Sequence, residues 1–194
     1  SRGLGDVYKR QEEVVVELSQ YLRRSFDFKR IDAMTTLGKE LELLEAYLYI
    51  EKTRFGDRLS VEYDIDETLN IPIPPLILQP LVENAVRHGL MNHVLGGTVT
   101  ISIKRRKEEA VFTIEDNGVG IEAVRISELL EEKPKSGGIG MWNINQRLKM
   151  LYNRGLTVCS EIGRGTRISF SLPLDKDNDK KPGRICRLSG GIPK

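Results

Sequence analysis

Residues 81–89 read LVENAVRHG, and this stretch decides how the rest of the chain is interpreted. Its aliphatic residues provide the buried faces of a helix that spans about 76–91. The other side chains are polar or charged, and they are Glu83, Asn84, Arg87 and His88. Glu83 and Arg87 are i,i+4 neighbours, as are Asn84 and His88, so on a helix they form one polar stripe. Such a stripe lines a cleft, or it is a salt-bridge stripe on an exposed surface.

As the lining of a cleft, the stripe has side chains suited to a metal ion and a water. Asn84 offers a carbonyl oxygen to a hard cation such as Mg²⁺, which keeps most of its waters and takes few protein ligands. Glu83 has a carboxylate that can orient a water or accept a proton. The stripe alone does not decide between this hypothesis and a solvated surface.

A second motif is EDNGVG at residues 115–120. Phe112, Ile114 and Asp116 share one face of a strand, because successive side chains alternate. Asp116 therefore points toward the core, where a carboxylate needs hydrogen-bond donors. The glycines that follow let the backbone turn without side chains, which suits a flat ligand with an exocyclic amino group. The alternative is an ordinary Asp-Asn-Gly turn after a strand.

A third motif is SGGIGMWNI at residues 136–144, in which three glycines precede the start of a helix. Free backbone N–H groups at a helix N-terminus attract anions, phosphate especially. A flexible linker explains the same glycines equally well. If the loop over 133–140 is a lid, it is expected to be mobile until a nucleotide binds.

Hydrophobic periodicity predicts an α+β protein. Strands are predicted at 59–66, 98–105, 110–116, 156–162 and 166–172. Helices are predicted at 12–26, about 39–55, 76–91, 122–132 and 141–153. The pairs of neighbouring strands predict a largely antiparallel, mixed sheet with helices on one face, which is a two-layer α/β sandwich preceded by N-terminal helices.

The helix predicted from Lys39 to Phe55 carries an apolar seam close to a heptad repeat. Its members are Leu37, Leu41, Leu44, Leu48 and Phe55. A seam of this spacing packs a helix onto its own domain, or it joins two helices in a dimer stalk. The periodicity is equally consistent with both arrangements.

Charge and composition exclude several classes of protein. The net charge is +2, but residues 1–11 contribute +2 and residues 175–194 contribute +3, so the body between them carries −3. A mildly acidic body argues against a nucleic-acid surface, and no apolar run approaches the roughly 18 residues that span a bilayer. Cys159 and Cys186 have no metal-ligand spacing. We interpret residues 1–11 as a flexible or non-native leader and 175–194 as a disordered tail.

The three motifs, in this order and followed by GRGT, resemble the ATP-binding (Bergerat-type) domain of the gyrase, heat-shock chaperone, histidine kinase and mismatch-repair superfamily. The resemblance implies that Asn84 ligates Mg²⁺ and that Asp116 reads the adenine amino group. It places Glu83 and His88 as catalytic or phosphate-side neighbours of the metal, with Arg87 near the phosphates. The implied binding residues around ATP are Gly118, Gly120 and Thr166 at the adenine, and Gly138, Ile139 and Gly140 at the phosphate lid.

The stretches LELLEAYLYIEKTRFGDRLSVEYDID, IPIPPLILQPLVENAVRHG and GIGMWNINQRLKMLY resemble the LytS-type sensor histidine kinases over about residues 14–173. This implies a catalytic domain (57–174) of a two-component kinase after a helical dimerisation segment (12–56). It also implies a response-regulator partner, a homodimer formed through the N-terminal helices, and no nucleic-acid or membrane contact by this fragment. The fragment would then be a cytoplasmic domain of a membrane-anchored parent.

One departure from that family concerns the phosphoacceptor. The family's acceptor histidine sits in an N-P-H-F-like motif upstream of the matching helices, whereas this sequence contains only His88 and His93. We therefore interpret the chain as a fragment that binds ATP without phosphorylating itself. The alternative is a nucleotide-binding conformational or dimerisation module without kinase activity, such as a pseudokinase.

Overall fold

The computed structural model describes residues 34–90, 96–131 and 139–174. The α-helices in these ranges are α1 (Leu37–Phe55), α2 (Leu78–Asn84), α3 (Ala123–Glu131) and α4 (Ile139–Tyr152). The strands are β1 (Thr35–Thr36), β2 (Leu59–Ile65), β3 (Pro72–Ile73), β4 (Gly97–Arg106), β5 (Glu109–Asp116), β6 (Thr157–Glu161) and β7 (Gly165–Pro173). A short 3₁₀ turn follows α1 at Gly56–Arg58, and a π-helical turn follows α2 at Ala85–Leu90.

Five strands form one mixed sheet in the order β2-β4-β5-β7-β6. The β4–β5, β5–β7 and β7–β6 pairs are antiparallel, and β2 pairs with β4 in parallel. The two predicted hairpins are therefore present, and the parallel edge strand makes the sheet mixed, as predicted. Strands β1 and β3 form a separate two-stranded antiparallel sheet.

The central strand β5 shows why one face of the sheet is buried. Its residues alternate between half-buried and buried positions from Glu109 to Asp116. Phe112 pairs in register with Phe170 of β7, and their rings stack with centroids 4.6 Å apart. The same alternation brings Asp116 to the buried face, as the sequence predicts. Aliphatic residues of α1, α2 and α4 belong to this core, which confirms a two-layer α/β sandwich.

Helix α1 packs onto the domain that the sheet forms. Its seam residues Leu37, Leu41, Leu44 and Leu48 are all buried in the common core. Its start is tied down as well, because the Leu37 N–H donates to the Ile71 carbonyl at 3.0 Å. Of the two arrangements predicted for this seam, the structure shows the first: α1 packs on its own domain. The predicted domain boundary after residue 56 stays a prediction, and the core crosses it.

The helix that carries Glu83 and Asn84 differs from the prediction. The sequence predicts one helix over 76–91, but the α-helix begins at Leu78 and gives way to the π turn after Asn84. Leu76 has φ +57, a left-handed conformation that interrupts a right-handed helix. Pro80 lies in the first turn of α2, where its missing N–H costs no helical hydrogen bond. Single π-helical turns occur frequently at functional sites.

Several predicted segments lie outside the described residues. These are the leader 1–11, the helix 12–26 and the tail 175–194. Most of the predicted lid, 133–138, lies outside as well, and α4 begins at Ile139, two residues before the predicted start.

Candidate functional site

Asp116 is the last residue of strand β5, which lies between β4 and β7 in the sheet. Its register partners are Val99 on one side and Thr166 on the other, and its side chain is only 6% exposed. The Gly118 N–H donates to Asp116 Oδ1 at 2.9 Å. Burial raises the pKa of Asp116, and the backbone N–H groups of Gly118 and Thr166 oppose that rise. The carboxylate is therefore partly stabilised by the protein and retains acceptor capacity for a ligand.

Two glycines allow the β6–β7 hairpin to approach Asp116 closely. Gly120 has φ +75, and a Cβ there would lie 2.2 Å from the Glu161 carbonyl oxygen. Gly165 has φ +108, and a Cβ there would lie 1.9 Å from the Asp116 carbonyl oxygen. Both positions require a missing side chain as well as a positive φ. Gly120 was predicted to shape the adenine site, and the structure gives the physical reason why it must be glycine.

The loop after β5 is also fixed by hydrogen bonds to its neighbours. Asn117 Oδ1 accepts the Thr98 N–H at 2.8 Å, at the start of β4. The Gly163 N–H, in the turn between β6 and β7, donates to the Val119 carbonyl at 2.9 Å. The loop is thus held from both sides by strands of the same sheet.

Ser160 of β6 organises the hydroxyl of Thr166. Its Oγ accepts the Ile121 N–H at 2.8 Å, donates to the Gly165 carbonyl at 2.9 Å and lies 2.9 Å from Thr166 Oγ1. A serine hydroxyl has one hydrogen and two lone pairs. Because that hydrogen is used at Gly165, Thr166 is the donor to Ser160. The remaining lone pairs of Thr166, which is 7% exposed, are then available as acceptors beside Asp116.

Sequence analysis missed Ser160. The available signal was its position: it shares the inward face of β6 with Val158 and pairs with Thr166 across the β6–β7 hairpin. A small polar residue on an inward face, opposite another hydroxyl, indicates a built hydrogen-bond pair.

The opposite end of the site is formed by the end of α2 and the π turn. Glu83 and Asn84 are half-buried, and Glu83 Oε1 accepts a hydrogen bond from Gln79 Nε2 at 2.7 Å. Arg87 is exposed in the π turn, which packs against β4, β5 and β7. His88 belongs to the same turn, but its side chain lies outside the described part of the structure. The predicted stripe is therefore half α-helical and half π-helical.

The start of α4 lies against the first turn of α2. A Cβ on Gly140 would lie 3.5 Å from the Pro80 Cβ, so the third motif lies beside the helix that carries the start of the first. Ile139 and Gly140 are the first residues of this 14-residue helix, and helix-initial N–H groups have no partner within their own helix. Gly138, predicted to join them, lies outside the described residues.

A buried carboxylate from α1 caps the N-terminus of α2, and sequence analysis missed it. Glu40 is 1% exposed and accepts the N–H groups of Leu76 at 2.7 Å, Ile77 at 3.2 Å and Leu78 at 3.3 Å. The residue at the local cap position of α2 is Ile77, which has no capping side chain. The signal was the absence of Ser, Thr, Asp or Asn before this helix.

The class of protein follows from this fold and site together with the family comparisons. Residues 74–176 match the family described as histidine kinase-, DNA gyrase B-, and HSP90-like ATPase, and residues 5–59 match the histidine kinase family. The chain belongs to the histidine kinase-, DNA gyrase B- and HSP90-like ATPase family. Its ATP-binding fold is that of the catalytic domain of a two-component sensor histidine kinase.

Relatives of known sequence agree with this assignment. YwpD of Bacillus subtilis is 41% identical over 86% of this chain and 60% of its own length. The sensor histidine kinase YpdA of Escherichia coli is 38% identical over 83% of this chain and 28% of its own length. The sensor protein LytS of Oceanobacillus iheyensis is 35% identical over 85% of this chain and 29% of its own length. The resemblance to LytS-type kinases is confirmed, and the chain spans between about a quarter and three fifths of these relatives.

A solved structure supports the fold. The histidine kinase domain of the Erythrobacter litoralis EL346 blue-light activated histidine kinase superposes with a TM-score of 0.54 at 19% identity, covering 85% of this chain and 75% of that one. In the described ranges of our chain, no helix combines the length and apolar character needed to cross a membrane.

Proposed function

We propose that this chain binds Mg-ATP between Asp116 and the end of α2 and donates the γ-phosphate to a histidine. The observation that carries the proposal is the buried Asp116 carboxylate beside the oriented hydroxyl of Thr166. A carboxylate held away from water is costly unless it meets donors. A ligand with an amino group at this position would add a donor to those of Gly118 and Thr166.

Adenine fits this end of the site better than guanine does. The ionised Asp116 carboxylate only accepts hydrogen bonds, and the hydrogen of Thr166 is already used by Ser160. The adenine amino group donates, whereas guanine presents a carbonyl oxygen at the same ring position, which two acceptors would repel. Gly118 and Gly120 leave the space beside the carboxylate free of side chains.

The phosphates would lie toward α2 and α4. We assign Arg87 and His88 of the π turn to the phosphate side, where the exposed guanidinium of Arg87 can reach phosphate oxygens. The helix-initial N–H groups of Ile139 and Gly140 would supply an anion-binding site, and we assign Gly138 to the same phosphate lid. Glu83, held by Gln79, is the candidate that orients the attacking group or accepts its proton.

Asn84 is the residue that would hold Mg²⁺. The residue is half-buried at the end of α2, and no group of three or more His, Cys, Asp or Glu that could hold a metal occurs in the described ranges. This donor set fits Mg²⁺, which typically takes one or two protein oxygens together with phosphate oxygens and water. When bound, Mg²⁺ supplies charge neutralisation on the phosphates.

The reaction we propose moves the γ-phosphoryl group from ATP to an imidazole nitrogen, so that the bond to the β-phosphate oxygen breaks and ADP leaves. An in-line approach within about 3–3.5 Å is required. Neither His88 nor His93 is the acceptor in this proposal, because His88 belongs to the turn that forms the site and His93 follows it closely. The acceptor in this proposal is a histidine of the full-length kinase that the present sequence does not contain.

The finer assignments of the chain are part of the same proposal. We assign residues 57–174 to the catalytic domain and 12–56 to a helical segment that serves dimerisation in the full-length kinase. A response regulator would then receive the phosphoryl group, and the full-length kinase would be anchored in the membrane with this domain in the cytoplasm.

The test measures binding and transfer separately. Calorimetry with Mg-ADP and Mg-GDP should show binding of the adenine nucleotide and at least tenfold weaker binding of the guanine nucleotide. Incubation with γ-labelled ATP should leave this chain unlabelled, whereas a separate acceptor-helix fragment of a LytS-type kinase should gain acid-labile, alkali-stable label. Nucleotide binding without transfer to any acceptor fragment would favour the nucleotide-binding module over the kinase.

A further inference from the structure

The carboxylate of Glu40 makes a contact that its own helix does not need. Glu40 lies in the first turn of α1 and reaches across the core to three consecutive N–H groups, those of Leu76, Ile77 and Leu78. The partners are separated from it by 36 to 38 residues along the chain. The contact therefore sets the position of one helix relative to another.

Packing alone does not explain a carboxylate at this position. Burial raises the pKa of Glu40, the N–H groups of Leu76, Leu78 and Ile77 lower it, and the Arg147 charge lowers it further. An apolar residue would fill the same volume without the desolvation cost. What only an anion provides is a partner for three converging N–H groups, which form an anion-binding nest because Leu76 adopts φ +57.

A second contact brings α4 to the same segment. Arg147 Nη1 donates to the Pro75 carbonyl at 2.7 Å. Arg147 belongs to α4, and Gly140 in the first turn of that helix lies beside Pro80. The segment before α2 is thus held by α1 through Glu40 and by α4 through Arg147.

We propose that Glu40 is a positioning residue for the phosphate and metal end of the ATP site. Helix α2 has only seven residues, so its last residue, Asn84, lies about 9 Å from its first at the usual rise per residue. A tilt at the Leu78 end therefore displaces Asn84 and Glu83 directly. The base end is built from β5, β6 and β7, and it does not depend on this cap.

The inference rests on the proposed ATP site. It predicts that substitution of Glu40 weakens the binding of Mg-ADP but not that of adenosine. Glu40→Gln keeps the side-chain volume but places an amide donor against backbone donors. We expect Mg-ADP affinity to fall by about tenfold to a hundredfold, while the affinity for adenosine changes by less than about twofold. A loss of general structural integrity would weaken both ligands alike.

The experiment compares the 194-residue chain with Glu40→Gln, Glu40→Asp and two controls, using NMR titrations with adenosine and Mg-ADP at a temperature where each variant is folded. Glu42→Gln makes the same charge change on the same helix, and Leu48→Ala opens the same core. Both controls should keep the parental ratio of the two affinities, and Glu40→Asp should recover part of the loss. Equal weakening of adenosine and Mg-ADP by Glu40→Gln, or no weakening, would overturn the inference.

Hydrogen exchange measured without nucleotide tests the role of Glu40 independently of the proposed function. Glu40→Gln should speed the exchange of the Leu76, Ile77 and Leu78 amides and of α2, while the amides of β5 and β7 keep their parental rates. If the parent chain bound no adenine nucleotide, the proposed function would fail, and unchanged exchange in α2 would independently reject Glu40 as its positioning residue.

Discussion

The two ends of the candidate site are built in different ways. At the base end, Asp116, Ser160 and Thr166 lie on neighbouring strands of one sheet, and hydrogen bonds within that sheet and its turns join them to one another and to the adjoining loop. At the phosphate end, a helix of seven residues changes to a π turn and takes its cap from a carboxylate 36 to 38 residues away in sequence.

This difference separates a part of the site that is built within one sheet from a part that other helices position. The base end holds its geometry through the sheet, so we expect a base to bind there with little ordering cost. The phosphate end presents the exposed Arg87 and the half-buried Asn84, and its geometry depends on how α1 and α4 hold α2. Substitutions at the base end should therefore change base recognition, whereas those around α2 should change phosphate and metal binding.

The largest effect is expected from Asp116→Ala. Removing the acceptor leaves the adenine amino group without a partner in a desolvated site, so Mg-ADP affinity should fall about a hundredfold or more. Calorimetry measures this loss, and Asp64→Ala on the exposed edge strand β2 is the matched control. Parental binding by Asp116→Ala would remove this carboxylate from the site.

Gly165→Ala should disturb the base end through the backbone. A Cβ there would lie 1.9 Å from the Asp116 carbonyl oxygen at φ +108, so the hairpin must move. We expect a loss of about 2 kcal/mol or more in unfolding free energy, with weaker binding of adenosine. Gly163→Ala also introduces a side chain at positive φ, at +79, but meets no atom within 4 Å, and it isolates the effect of the clash. Equal stability of the two variants in urea melts would contradict this account.

Ser160→Ala should have a moderate effect on base selectivity. Without Ser160, the Thr166 hydroxyl loses its acceptor and can turn its hydrogen toward the ligand. We expect the preference for ADP over GDP to fall by about threefold to tenfold, within the range of one hydrogen bond. Ser169→Ala, on β7 and outside this network, serves as the control. An unchanged ratio of the two affinities would mean that Ser160 does not set the polarity of Thr166.

The smallest expected effect is a shift in the titration of Asp116. Burial raises the pKa of this carboxyl in the free protein, and an amino donor from adenine stabilises the ionised form. The pKa of Asp116 should therefore fall when ADP binds, and by linkage ADP affinity should decrease as pH falls through the raised pKa of the free protein. Carboxyl ¹³C NMR with and without ADP measures both values. A pKa that does not move at saturating ADP would place the base elsewhere.

The base end could be predicted from the sequence because its determinants are local. Strand alternation from Phe112 onward assigned Asp116 to the core, and the turn signal of the next residues located the loop. The roles of individual residues in nucleotide binding stay predictions. Ser160 was missed because a strand residue acquires its hydrogen bonds only when the neighbouring strand is in place.

The phosphate end could be predicted only in part. The spacing of LVENAVRHG indicated a helix with a polar face, but hydrophobic periodicity cannot distinguish an α-helix from one that ends in a π turn. The role of Glu40 was hidden because its partners are backbone N–H groups, and the sequence signalled it only indirectly, through the missing cap residue before α2. The burial of the α1 seam was likewise undecided, since the same heptad-like spacing also suits a stalk between two helices.

The parallel pairing of β2 with β4 has a consequence for how the chain folds. Leu59 pairs with Gly97, 38 residues later, whereas the β4–β5 and β6–β7 pairs close over tight turns. Loop closure opposes the distant pairing, so the β4–β5 and β6–β7 hairpins should form first and the edge strand β2 should add after α2 has docked. Substitutions in β2, such as Val61→Ala, are therefore expected to speed unfolding and to leave the folding rate nearly unchanged.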